Sequence, residues 1–133
     1  MIDAQTRKLV WQRADDCCEY CRLRQEHLPY VTFHIEHVIS KKHGGGDGLW
    51  NLALACDRCN LHKGSNLAGL DPMTGRMTSL FNPRTQDWAA HFRLDGLRIL
   101  GRTATGRATV QVLQFNSPRR LRLRARLMAT GEM

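Results

Sequence analysis

Apolar and polar side chains alternate most clearly between Val31 and Ile39. Val31, Phe33, Ile35, His37 and Ile39 fall on one side, with Thr32, His34 and Glu36 on the other, and this period of two predicts a strand. Residues 3–16 read as a helix that Asp3 can cap, with Leu9, Val10 and Ala14 as its apolar side. The polar stretch Arg22–Pro29 reads as loop. The segment KKHGGGDG (Lys41–Gly48) reads as a flexible loop, followed by a short strand at Leu52–Ala55. A second helix should begin near Cys56 and stop at Gly64. Further on, Asp71–Gly75 is turn chemistry, and Asn82-Pro83 predicts a helix running through Trp88. Phe92–Ile99, folded about Asp95-Gly96, predicts a hairpin. Residues 105–114 suit helix or strand. Ser117-Pro118 opens a last helix; its LRLRARL alternation also fits a strand, but the Ser-Pro start favours helix. Trp11, Trp50 and Trp88 are expected in the core.

The chain has 133 residues, 42% of them hydrophobic, which suits one α+β domain and argues against a disordered basic tail. Within it, residues 1–66 are expected to form the functional core. Residues 67–133 are read as a basic extension, a hairpin plus helix, packed on the same domain. No apolar run approaches the ~20 residues of a membrane span, and the first residues lack the layout of an export signal. A soluble, cytoplasmic protein with no membrane partner is therefore expected. The formal charge is +8, and residues 79–133 hold ten arginines against three acidic residues. An arginine-rich segment suits a polyanion, because the guanidinium fork matches phosphate oxygens. Arg119, Arg120, Arg122, Arg124 and Arg126 are the candidate contacts to a nucleic-acid backbone.

Five cysteines, an odd number, fit poorly with a disulfide framework. Cys18-Glu19-Tyr20-Cys21 and Cys56-Asp57-Arg58-Cys59 are two C-x2-C pairs that together supply the tetrahedral thiolate shell of a structural Zn²⁺. Cys17 is left over as a small buried hydrophobe. A thiol redox protein is the weaker reading; it predicts reversible disulfides and no zinc.

Between the pairs lies FHIEHVISKKHGGGDGLWNLALACDRCNLHKG (Phe33–Gly64). Phosphodiester hydrolysis needs a base for water, a hard cation at the phosphate and a fixed geometry between them. His37 can act as the base at neutral pH. The Glu36 carboxylate and the Asn60 amide are oxygen ligands suited to Mg²⁺ or Mn²⁺. His34 shares the face of Glu36 and could also reach the metal. Lys63, and less so His62, are candidate phosphate contacts.

At CEYC, IEHVIS, GGGDG, NLALAC and CDRCNLHKG the sequence resembles the HNH endonuclease family, in its subgroup scaffolded by a four-cysteine zinc site. The resemblance covers residues 13–66 and implies a ββα-metal core. It further implies His37 as general base, Glu36 and Asn60 as ligands of the catalytic cation, and Asn51 as the residue that stiffens the loop orienting the base. The implied activity is cleavage of DNA to 5′-phosphate and 3′-hydroxyl ends, with monomer and homodimer both open. Glu36 and His37 are adjacent, so both can serve one site only if the strand ends or bulges there. The alternative is a zinc-stapled nucleic-acid-binding module without turnover.

Overall fold

The computed structural model describes residues 2–133 as a mixed α+β protein with three separate two-stranded antiparallel sheets. The described backbone divides into two compact units: residues 2–67 with 82–86, and residues 68–81 with 87–133.

In the first unit, α1 (Ala4–Ala14) is capped by Asp3, whose carboxylate accepts from Thr6 N at 2.7 Å. Such a cap contributes about 1 kcal/mol. Val10 is fully buried, whereas Leu9 is exposed, so the apolar side is narrower than the sequence suggests. The strand expected over residues 31–39 is shorter: β1 is His34–His37, paired with β2 (Leu52–Ala55) in the register His34–Ala55 to His37–Leu52. Just upstream, the backbone of residues 31–33 is held instead by the Gln25 side chain, which donates to Val31 O at 2.6 Å and accepts from Phe33 N at 3.0 Å. The β2 residues are all fully buried, as a continuous apolar run predicts. Cys56 then caps α2 (Asp57–Lys63), its sulfur accepting from Cys59 N, and Gly64 closes the helix.

The second unit opens with a hairpin that the sequence reading lacked: β3 (Ala68–Leu70) and β4 (Met77–Ser79) join around the Asp71 turn. Asp71 is fully buried. Its carboxylate takes a bidentate ion pair from Arg107, at 2.9 Å to each oxygen, and accepts from Met73 N. That pair holds the Asp71 carboxyl well below its ordinary range.

Asn82-Pro83 does not start a helix. Asn82 instead closes a turn, its carbonyl accepting from Thr85 N and Gln86 N, and helix α3 (Trp88–His91) begins only afterwards. The hairpin of β5 (Phe92–Asp95) and β6 (Arg98–Gly101) turns at Gly96, whose φ of +61° is the positive value such a turn requires. Residues 105–114 resolve to helix, as α4 (Ala104–Val112), which packs on β3, β4 and β6. Phe81, Phe92 and Phe115 form the aromatic centre, with Phe92 5.2 Å and 5.5 Å from the other two ring centroids.

Helix α5 (Pro118–Ala129) is capped by Ser117. It carries two of the predicted DNA-contacting arginines inward. Arg124 is fully buried, donating to the carbonyls of Leu97 and Phe115 and to Asn116 Oδ1; Arg120 is 5% exposed. Both follow the helical period of Leu123 and Leu127, the apolar side of α5. Arg119, Arg122 and Arg126, three and four residues apart, stay exposed along one stripe.

Candidate functional site

The four cysteines of the two C-x2-C pairs converge. Cys18, Cys21, Cys56 and Cys59 are buried, and their sulfurs all lie within 4.8 Å of one another. Cys21 Sγ and Cys56 Sγ are 3.7 Å apart. A tetrahedral Zn²⁺ with Zn–S bonds of about 2.3 Å sets its sulfurs about 3.8 Å apart, so the cluster fits a zinc site. Backbone amides also reach two of the sulfurs, Cys21 N on Cys18 and Cys59 N on Cys56. Cys17 stands outside the cluster, half-buried, its thiol turned to the carbonyls of Cys18 and Arg22.

Next to this cluster β1 presents two different faces. The ladder runs unbroken through Glu36–Ala53 and His37–Leu52, so no bulge re-aims either side chain, although the strand does end at His37. Glu36 points inward. It is 6% exposed, accepts a hydrogen bond from the Tyr20 hydroxyl and forms an ion pair with Lys63 Nζ at 3.1 Å. Burial pushes its carboxyl up, while the Lys63 ammonium and the Tyr20 hydroxyl pull it back.

Lys63 is itself 2% exposed and also donates to the carbonyl of Val38 at 2.9 Å. Lys63, expected as a phosphate contact, is a buried brace tying α2 to the end of β1, and Glu36, expected as a cation ligand, is held by that brace. Alternation separates Glu36 from His37, and a buried carboxylate needs a buried cation.

His37 lies on the other face, half-buried, and its Nε2 sits 2.7 Å from Asp47 Oδ1. The Lys41 ammonium pairs with the other Asp47 oxygen at 3.2 Å. Both partners hold the Asp47 carboxyl well below its ordinary range, so it is ionised at neutral pH. An ionised Asp47 accepts from Nε2–H, and a neutral imidazole held this way carries its lone pair on Nδ1.

The loop bearing Asp47 is itself held. Asn51, 1% exposed, accepts from Ile39 N and donates to Ile39 O and Gly46 O, all at 2.8–2.9 Å. Gly45 passes so close that a Cβ there would meet Ile39 O at 1.7 Å. Asp47 is the residue missing from the sequence reading. Its signal was a lone acid among the glycines of GGGDG, behind two lysines.

The remaining candidates scatter. His34 is exposed on β1 opposite Ala55, and Asn60 and His62 are half-exposed on α2. Among the described residues the four cysteines are the one cluster of three or more His, Cys, Asp or Glu ligands. Trp50, expected in the core, is 64% exposed.

Residues 18–66 match the HNH endonuclease family. The HNH match spans both cysteine pairs, both strands of the first sheet and α2, and it points to a nuclease or other nucleic-acid-related function. Neither the curated proteins nor the solved structures include a match to the chain. Among the described residues no helix is long and apolar enough to cross a membrane.

Proposed function

We propose that the chain is an HNH endonuclease that hydrolyses DNA phosphodiester bonds with His37 as general base. The observation that carries this reading is the 2.7 Å contact between His37 Nε2 and Asp47 within the HNH match. The Asp47 carboxylate holds the imidazole in one tautomer and stabilises the imidazolium formed when Nδ1 takes a proton from water. Asn51 keeps the Asp47 loop at the end of β1, so the base stays aimed through the reaction.

The two metals implied by the family resemblance fare differently. Zn²⁺ fits Cys18, Cys21, Cys56 and Cys59, where it would clamp the segment before β1 to the start of α2. A catalytic Mg²⁺ or Mn²⁺ would supply neutralising charge at the phosphate. The ligand pair expected for it does not fit, because Glu36 is already bound by Lys63 and Tyr20. Asn60 remains available on α2. The exposed stripe of Arg119, Arg122 and Arg126 on α5 supplies sequence-independent affinity for the DNA backbone.

Supercoiled plasmid incubated with the protein and Mg²⁺ or Mn²⁺ tests the reading. Conversion to open circles carrying 5′-phosphate and 3′-hydroxyl ends is expected. A protein that retards the plasmid in a gel yet leaves it supercoiled under both ions would be the binding module instead.

A further inference from the structure

Trp50 is 64% exposed, an unusual position for the largest apolar side chain, and it is not loosely placed. The indole lies along the glycine loop. A Cβ on Gly48 would meet its Nε1 at 2.4 Å, and one on Gly46 would meet its six-membered ring at 3.6 Å. Side chains at residue 48 would therefore displace the ring, and the glycine there gives it a bed. Between those glycines sits Asp47, the partner of His37. On its other side Trp50 adjoins Asn51, whose hydrogen bonds to Ile39 and Gly46 fix the local backbone. Lys41, paired with Asp47, and exposed Lys42 bring positive charge into the same loop.

A flat ring seated on one side, largely open to solvent and set beside a proton acceptor within a basic loop, is a stacking platform. The geometry points to Trp50 as a contact for an unpaired DNA base flanking the bond to be cut. Every base face inside an intact duplex is covered by its neighbours, so the partner is a base in a single strand, a flap or a distorted step. Stacking of this kind contributes through the π-face of any base and so selects DNA structure rather than sequence. This inference rests on the nuclease reading and adds a substrate class to it.

The test uses the full chain without added divalent ion, so that DNA is bound but not cut. It compares a fluorescein-labelled single-stranded oligonucleotide with the blunt duplex of the same sequence. W50A is expected to bind the single strand about 10-fold more weakly and the duplex within about 2-fold of wild type, while W50F keeps most of the affinity. Single-stranded DNA should also quench tryptophan emission in wild type and not in W50F. Equal binding of the single strand by W50A and wild type overturns the inference, as does an equal loss on both DNAs. If W50A behaves as wild type while wild type still nicks plasmid, only the stacking role fails. If wild type neither binds nor nicks DNA, the nuclease reading fails and takes this one with it.

Discussion

The two faces of β1 use charged side chains in opposite ways. On the inner face Glu36, Tyr20 and Lys63 form a closed set, each buried and each turned to another member or to a backbone carbonyl. On the outer face His37 and Asp47 also pair, but both keep part of their surface in solvent, with side-chain exposures of 22% and 30%. A closed buried set can hold elements together but cannot meet a substrate. A half-open pair can exchange a proton. Adjacent residues of one strand, which the pleat points to opposite faces, thus divide between holding α2 in place and, in the proposed function, offering a base.

Disrupting the four-cysteine cluster that fits a zinc ion should have the largest effect. In Cys59→Ala, or after strong chelation, the first unit is expected to lose its fold, because the binding energy of a structural zinc is folding energy. Circular dichroism and zinc content, read together on the full chain, check this; an unchanged melting curve after the zinc is gone would remove the sulfur clamp from the account.

A smaller effect is expected from opening the Glu36–Lys63 pair. Lys63→Met strands a buried carboxylate, at a cost of about 3–5 kcal/mol. Adding Glu36→Gln removes the stranded charge while keeping an acceptor for Tyr20, so chemical denaturation should show about half of that loss recovered. If the double variant is no more stable than Lys63→Met alone, the two side chains are not coupled as the 3.1 Å contact implies.

Legibility in the sequence followed the range of the interactions. The cysteine pairs were readable because a metal shell imposes fixed residue types at fixed spacing, and the four sulfurs do cluster. The Asp95-Gly96 hairpin and the Ser117-Pro118 helix start were readable because each is set by a few neighbouring residues. The lysine that faces Glu36 comes from 27 residues away, and that partnership has no local signature. The same holds for Arg124, whose partners on Leu97, Phe115 and Asn116 are assembled only by the packed second unit. Arginine content alone reads as surface charge, so only burial separates Arg120 and Arg124 from Arg119, Arg122 and Arg126. Asp47 was overlooked for a related reason, since a glycine loop does not reveal which histidine it folds back to meet.

The most direct measurement is the plasmid-nicking rate of His37→Ala beside its melting curve. His37 is half-buried on the open face and outside the Glu36–Lys63 set, so the curve should stay near that of wild type. The rate should fall by about 100-fold or more, the usual contribution of a positioned general base. A variant that melts as wild type and nicks as fast as wild type contradicts the assignment of the base.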